Sequence, residues 1–289
     1  MICMGSACAN RVTAPTLRLY PYDKDTNQTT IQGKKLSSLT MNMIKKILYK
    51  ILSEKQYLML LHRVFYFLYD LGLLKNKKNF KYHYAVKKLI QPDYTVVDIG
   101  ANLGYFSRNF ARLANKGKVI SIEPVPQFFE VLDHFMKRFP NSERHNVALG
   151  KEEGSITMVL PKSNGMIRTG LPHIAESEEE KKQHDTKEVQ IVRGTELLSN
   201  LDRIDYIKCD IEGYELTVFE ELRPLIETHL PYLQIEIDSK NVDPMLELMK
   251  SLGYEQYGIA DFKLIREDGE QKEAGDYFFV HKTKSAPLL

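Results

Sequence analysis

The sequence predicts an α/β fold built on a mostly parallel sheet, because apolar strand-like runs alternate with helical patterns through most of the chain. The clearest unit is an apolar run at residues 95–99, followed by Gly100 and Gly104 and then by a helical pattern. Strands that are apolar throughout are typical of a sheet covered by helices on both faces. The 289 residues, 43% of them hydrophobic, suffice for one large domain with an appendage or for two small domains.

Seven strand-like runs predict a seven-stranded sheet, mostly parallel, with an antiparallel hairpin at one edge. The hairpin is expected from the last two runs, since no clear helical pattern separates them. The predicted strands are residues 95–99, 118–122, 144–149, 205–210, 232–237, 254–259 and 277–281. Helices are predicted at residues 105–114, 126–139 and 242–252, and after residue 210.

The chain is expected to divide into three parts. Residues 1–40 are polar and lack apolar periodicity, so we expect a disordered leader without the pattern of a signal peptide. Residues 41–92 are expected to form a helical N-terminal segment, and residues 93–289 the main domain. Within the main domain, the polar residues 161–188 predict a long mobile insertion without regular structure over the functional site.

Residues 42–74 carry apolar side chains at spacings of three and four, with lysines between them. One interpretation is a set of helices that flank the main domain, and the other is an amphipathic anchor that contacts a membrane surface. A spanning helix is not expected, because His62, Arg63 and Asp70 interrupt the most apolar part. Peripheral membrane contact through residues 42–74 is therefore an open alternative for a protein that its cysteine usage predicts to be cytoplasmic.

Charge and cysteine usage exclude several classes of partner and scaffold. The formal net charge of +2 gives no sign of a nucleic-acid partner. Three scattered cysteines show neither a metal-binding spacing nor a disulfide framework, which favours a reducing compartment.

The turn after the first predicted strand carries Asp98, Gly100, Asn102 and Gly104. Glycines allow a ligand to approach the backbone, and the following helix begins with unpaired N–H groups. A carboxylate at Asp98 suits an amino-acid ammonium better than a pyrophosphate. The turn therefore favours S-adenosylmethionine over a dinucleotide, and the missing GxGxxG pattern also argues against a nicotinamide dehydrogenase. A tight turn that binds nothing remains the structural alternative.

Two further strand ends are candidate parts of the same site, because carboxyl ends of parallel strands meet at one sheet edge. Glu123, nineteen residues after Gly104, is expected to accept hydrogen bonds from both hydroxyls of a ribose. Asn146 and Ala148 are candidates for the adenine pocket. The alternatives are an ordinary exposed glutamate and a strand that simply runs into a turn.

The fourth and fifth predicted strands end in charged residues. Lys208, Asp210 and Glu212 alternate and therefore share one face of an extended chain, whereas Cys209 points to the core. Glu236 ends the fifth strand. These four charged residues are the candidate catalytic groups, and the alternative for them is a structural salt-bridge network or, for Glu236, an exposed edge acid.

Four motifs resemble the FkbM-type S-adenosylmethionine-dependent methyltransferases over residues 94–282. They are VVDIGANLGYFS at 96–107, IEP at 122–124, NVALG at 146–150 and IKCDIEGYE at 207–215. The resemblance implies a Rossmann-like class I methyltransferase fold and O-methylation of a hydroxyl on a sugar or secondary metabolite. It implies these cofactor contacts, with the last near the methyl group: Asp98, Gly100, Asn102, Gly104, Glu123 and Asp210.

The expected reaction is an in-line SN2 transfer to a small-molecule or glycan acceptor, assisted by a carboxylate at Asp210, Glu212 or Glu236. Two alternatives stay open. One is a metal-dependent O-methyltransferase in which these carboxylates bind Mg²⁺, although the preferred interpretation assigns no metal ligand. The other is a module that binds the cofactor or a nucleotide without catalysis.

Overall fold

The computed structural model describes residues 47–163, 166–167, 169–175, 177–260, 263–266 and 273–286. The chain divides into two units, Met1–Ile47 and Leu48–Leu289, and the following description concerns the second. The expected leader at residues 1–40 lies outside the described residues. Within those residues, no helix is both long and apolar enough to cross a membrane.

An eight-stranded sheet forms the centre of the molecule. With the strands numbered in chain order as given in the next sentence, their order in the sheet is β13-β12-β14-β11-β10-β1-β2-β3. The described strands are β1 (Thr95–Ile99), β2 (Lys118–Ile122), β3 (Ser142–His145), β4 (Ala148–Gly150), β5 (Gly154–Leu160), β6 (Lys162–Ser163), β7 (Met166–Ile167), β8 (His173–Ile174), β9 (Asp185–Arg193), β10 (Tyr206–Cys209), β11 (Tyr232–Ile237), β12 (Tyr254–Ala260), β13 (Lys263–Arg266) and β14 (Gly275–His281). Strands β3, β2, β1, β10 and β11 are parallel, and β14, β12 and β13 continue the sheet antiparallel. The predicted α/β class and mostly parallel sheet are confirmed.

The helices cover both faces of this sheet with apolar side chains. The described α-helices are α1 (Glu54–Asp70), α2 (Lys81–Leu89), α3 (Ser107–Leu113), α4 (Pro126–Met136), α5 (Glu178–Gln183), α6 (Gly194–Leu197), α7 (Glu215–Glu221), α8 (Arg223–His229) and α9 (Val242–Ser251), with 3₁₀ turns at Lys78–Phe80 and Ser239–Asn241. Helix α4 begins with a proline, whose missing N–H costs nothing there, and it buries Phe128, Val131, Leu132 and Phe135.

Two predictions for the main sheet need correction. The expected third strand at residues 144–149 is two strands, because β3 pairs with β2 whereas β4 leaves the sheet to pair with β9. The sheet also has eight strands where seven were predicted, since β13 adds an outer strand to β12. Strand β14 lies between β11 and β12, so the predicted hairpin partners are adjacent and β13 forms the edge.

Residues 161–188 are not the unstructured loop that the sequence suggested. Among their described residues, β8 extends a second, four-stranded sheet of order β4-β9-β5-β8, and β6 pairs with β7. The charge run forms α5, capped by Ser177, whose hydroxyl accepts from the N–H of Glu180 at 3.1 Å. Acids in the first turn and lysines in the last stabilise this short exposed helix through its dipole.

Helix α1 begins with a capping box, in which Ser53 and Gln56 each accept a hydrogen bond from the other's backbone N–H. One face of α1 is buried against the main domain, including Tyr57, Leu58 and His62. The opposite face leaves Phe67 and Leu71 mostly exposed. The buried face is consistent with the expected helices that flank the main domain. Membrane contact through the exposed face stays a prediction.

Candidate active site

A cleft opens at the carboxyl ends of β1, β2 and β10, where the strand order reverses direction along the sheet. Ligands of open α/β sheets bind at such a switch point. The cleft is open to solvent at its mouth and is lined by both apolar and polar side chains, as small-molecule sites are. Six of the predicted site residues line it: Gly100, Asn102, Glu123, Ala148, Asp210 and Glu212.

The turn after β1 requires glycine at position 100. Gly100 has φ +73°, and a Cβ atom there would lie 1.9 Å from the carbonyl oxygen of Asp210. The N–H groups of Gly100 and Ala101 both donate to the carbonyl of Ile122 at 3.0 Å. The absence of a side chain therefore allows the ends of β1, β2 and β10 to meet.

Asn102 connects three parts of the cleft. It adopts a left-handed conformation with φ +53°. Its backbone N–H donates to Glu123 Oε2 at 2.7 Å, and its Oδ1 accepts from the N–H of Leu103 at 2.8 Å. Its Nδ2 donates to the carbonyl of Thr169, which belongs to a covering segment that we define as residues 169–174.

Glu123 is held on the cleft wall by two backbone N–H groups. Its Oε1 accepts from Val125 N at 2.8 Å while Oε2 accepts from Asn102 N, and the residue is only 4% exposed. Burial raises the pKa of Glu123 to about 7, although the two N–H donors favour the charged form. An oriented carboxyl with free lone pairs suits a pair of hydroxyl donors.

Apolar side chains form the wall beside Glu123. Ala148 lines the cleft as predicted, together with Phe128 and Met158. Asn146 does not line it, because its Nδ2 donates instead to the carbonyls of Glu123 and Pro124 at 2.8 and 2.9 Å. Asn146 therefore stabilises the backbone at Glu123, and its position does not support the predicted contact with a ligand.

Asp98 and Lys208 lie behind the cleft wall and not in it. The Asp98 carboxylate is fully buried and accepts from the hydroxyl of Ser107 at 2.5 Å. Its Oδ1 lies 3.5 Å from Lys208 Nζ, and that ammonium lies 3.5 Å from Asp210 Oδ2 and donates to the carbonyl of Gly100 at 2.9 Å. The enclosed Asp98 offers no direct contact to an ammonium in the cleft, so that predicted role is not supported by its position.

Lys208 forms a buried network with two carboxylates and a backbone carbonyl. Burial disfavours its charge, but the carboxylates of Asp210 and Asp98 outweigh burial and raise the pKa of Lys208. Burial also raises the pKa of Asp98 despite the neighbouring ammonium. A raised pKa favours the ammonium form, which is not a proton acceptor, so the structural-network alternative describes the position of Lys208 better than the role of a base.

Carboxylates surround the β10 end of the cleft. Asp210 is about one-third exposed and Glu212 is exposed, and both line the cleft. Glu236 lies outside the lining, opposite Asp276 across β11 and β14. Repulsion by the Asp210 carboxylate raises the pKa of Glu236. Burial, followed by repulsion from Asp210, raises the pKa of Asp276 to about 6. Carboxyl groups are therefore clustered at this end of the cleft.

The sequence placed the insertion 161–188 over the site but did not single out the residues of the covering segment that line the cleft, which are Thr169, Pro172 and Ile174. It also did not single out Tyr214, which adds a phenol to the lining. Gly104 was predicted to contact the cofactor, but a Cβ there would meet Leu132 at 3.0 Å, on the side of α4. Among the described residues, no group of three or more His, Cys, Asp or Glu side chains is arranged to hold a metal ion.

The strand order and the position of the cleft define a Rossmann-like α/β methyltransferase fold. Residues 98–255 match the Methyltransferase FkbM domain family, and since this is more than half of the chain, the protein belongs to the FkbM methyltransferase family. Methyltransferase 1 of Beauveria bassiana (strain ARSEF 2860) is 27% identical over 153 residues, which are 47% of this chain and 60% of that protein. The chain thus spans about three-fifths of the length of that curated relative.

Solved structures with similar folds are more distant in sequence. The crystal structure of methyltransferase FkbM from Methylobacillus flagellatus KT is 17% identical, with a TM-score of 0.43, covering 66% of this chain and 44% of that chain. The SAM-dependent O-methyltransferase of Thermotoga maritima is 10% identical, with a TM-score of 0.41, covering 74% and 71%.

The buried ammonium of Lys208 is predicted to dominate the stability of this site. Lys208→Met leaves Asp98 buried without its counter-charge, so the free energy of unfolding should fall by about 3–5 kcal/mol at pH 7. Urea denaturation measures this change. Lys118→Met is the control, because its ammonium pairs with Glu143 at the surface at 2.7 Å and its loss should cost less than about 1 kcal/mol.

The double variant Asp98→Asn/Lys208→Met should recover part of the lost stability, since it removes the uncompensated charge. A Lys208→Met variant as stable as Lys118→Met would contradict this account of the site.

Proposed function

We propose that this methyltransferase binds S-adenosylmethionine in the cleft and transfers its methyl group to a hydroxyl oxygen of a small-molecule or glycan acceptor. The observation that carries the proposal is the placement of Glu123 and Asp210 on one cleft, at the ends of β2 and β10. One of these carboxyls suits a ribose, and the other lies where the reacting oxygen would be held.

The residues present fit this cofactor. The Glu123 carboxyl is oriented by two N–H donors and is expected to accept hydrogen bonds from the ribose hydroxyls. The apolar wall with Phe128, Ala148 and Met158 suits the adenine ring. The turn at Gly100 brings backbone close to the methionine portion, and Asn102 holds the covering segment across the cleft. When bound, the cofactor supplies an electrophilic methyl group on a sulfonium.

Asp210 is the proposed proton acceptor. The Asp210 carboxylate would hold the acceptor hydroxyl and take its proton, while the bound cofactor would supply the methyl group and leave as a thioether. Lys208, 3.5 Å from Asp210 Oδ2, orients that carboxylate from behind the wall. Repulsion by Asp210 raises the pKa of Glu236, and Glu236 lies outside the cleft lining, so it is not assigned the role of base. Most of the rate enhancement then comes from positioning.

The charge of the cleft limits the acceptor class. Asp210 and Glu212 line the cleft. Their carboxylates repel anionic acceptors and provide hydrogen-bond acceptors for neutral hydroxyl groups. A polyhydroxylated, uncharged acceptor is therefore the proposed substrate class.

Affinity for S-adenosylmethionine should rise with pH up to about pH 7. The raised pKa of Glu123 means that the free protein carries a proton on this carboxyl at lower pH, and the ribose contact requires its release. Calorimetry should show a dissociation constant that falls by up to about tenfold per pH unit between pH 5.5 and 7.

Glu123→Gln tests this prediction with a side chain of the same shape that does not titrate. Its NH₂ group would face one of the two backbone N–H donors that the carboxylate accepts, those of Asn102 and Val125. The affinity of this variant should be about 10–100-fold weaker at pH 8 and independent of pH. An affinity in the unmodified protein that does not change with pH would remove Glu123 from the ribose site.

Asp210→Asn should separate catalysis from cofactor binding. Loss of the proton acceptor should lower kcat by about 10²–10⁴-fold while the dissociation constant for S-adenosylmethionine changes less than about threefold. Transfer of a labelled methyl group to a panel of neutral polyols gives the rate. Glu220→Gln is the control, since this acid pairs with Lys151 on the exposed face of α7. Full turnover by Asp210→Asn would dismiss Asp210 as the base.

A further inference from the structure

Two side chains of α1 donate hydrogen bonds to the backbone of the turn that carries Asn102. His62 Nδ1 lies 2.8 Å from the carbonyl oxygen of Leu103. The hydroxyl of Tyr66 donates to the carbonyl of Tyr105 at 2.8 Å and lies 3.4 Å from that of Gly104. Helix α1 lies N-terminal to residues 98–255, so these contacts come from outside the part that matches the family.

The turn needs these donors because its backbone is irregular and buried. Asn102 and Gly104 have φ values of +53° and +87°, so no regular helix or strand pairs the carbonyls between them. Leu103 is completely buried. A buried carbonyl without a donor costs free energy, and here a side chain of α1 supplies the donor.

The surroundings of His62 fix its protonation and its orientation. The residue is completely buried, and its ring stacks on Phe135 of α4 with centroids 3.7 Å apart and planes inclined by 9°. Burial is the main cause that lowers the pKa of His62 to about 3, with Arg108, Arg138 and Arg63 also lowering it. A neutral ring facing a carbonyl must carry its proton on Nδ1, and Nε2 has no hydrogen-bond partner among the described residues.

Tyr66 donates to the backbone of Gly104 and Tyr105, and its own ring is packed against Arg108. The guanidinium carbon of Arg108 lies 3.9 Å from the centre of its ring, and Arg108 belongs to α3, which follows the turn. The Tyr66 ring also lies 4.8 Å from that of His62. The two donors thus form one rigid contact between α1 and residues 103–105.

We propose that His62 and Tyr66 are positioning residues for the cofactor, acting through the turn and not by contact with the ligand. By fixing the carbonyls of residues 103–105, they hold the N–H of Asn102 toward Glu123 and the Asn102 side chain toward the covering segment. The inference rests on the proposed binding of S-adenosylmethionine. It gives the N-terminal helix a role in cofactor affinity that packing alone would not give it.

The experiment compares Tyr66→Phe with Tyr69→Phe in the full chain. Each variant loses one buried hydroxyl of α1, but Tyr69 donates to the carbonyl of His83 in α2, at 2.7 Å, away from the turn. Tyr66→Phe should weaken S-adenosylmethionine binding about tenfold, the effect of one lost buried hydrogen bond, and leave kcat at saturating cofactor unchanged. Tyr69→Phe should change the dissociation constant less than about twofold.

A second pair of variants tests His62. His62→Leu removes the donor to Leu103 and should weaken cofactor binding about tenfold, whereas His62→Asn keeps an N–H donor near the position of Nδ1 and should recover part of the affinity. Hydrogen exchange of the Asn102–Tyr105 amides in the ligand-free protein should accelerate in Tyr66→Phe and His62→Leu only.

The outcomes separate this inference from the proposed function. Equal affinity losses in Tyr66→Phe and Tyr69→Phe, or unchanged affinity and exchange in Tyr66→Phe, would overturn the positioning role while cofactor binding stands. Failure of the unmodified protein to bind S-adenosylmethionine would instead overturn the proposed function, and the exchange rates would still decide whether α1 holds the turn.

Discussion

The buried ammonium of Lys208 connects the two strands at the centre of the sheet. It donates to the carbonyl of Gly100 at the end of β1 and lies 3.5 Å from both Asp98 and Asp210. A charge in this position is costly unless it is compensated, so the surrounding carboxylates and the carbonyl must remain in place. The geometry of the cleft follows from this constraint, because Gly100 and Asp210 are part of its lining.

A second set of contacts connects the turn after β1 to the other parts of the cleft. The Asn102 backbone joins the β1 turn to Glu123, while its side chain reaches the covering segment. On the far side, α1 fixes the same turn through His62 and Tyr66. The turn that lines the cleft is therefore contacted by the central sheet, by the covering segment and by helix α1.

The central strands could be predicted because each is marked by a short apolar segment of the sequence itself. The buried strands β1, β2 and β11 have apolar runs that end at charged or glycine residues, and the predicted bounds agree with the observed ones. Cys209 is buried as expected from its alternation with Lys208 and Asp210. The short strands β8 and β13 were not predicted, and β3 was predicted only as the beginning of a longer strand, because short polar segments become strands through the partners that they pair with.

The site shows the same division. The polar residues at strand ends, including Glu123 and Asp210, were found because the sheet edge collects them. Sequence alone did not distinguish Lys208 and Asp98, which lie behind the wall, from residues that line it, because alternation fixes a face but not a depth. Asp276 was missed because an antiparallel register places it there, whereas the covering segment lies within the insertion that the sequence placed over the site.

The central claim is that one cleft binds the cofactor with its ribose on Glu123. The most direct measurement is a crystal structure with S-adenosylhomocysteine soaked in. The ribose hydroxyls should lie within hydrogen-bond distance of the Glu123 carboxyl, with the sulfur end toward Asp210. An empty cleft in crystals of a protein that binds the compound in solution, or a ribose placed away from Glu123, would contradict the account.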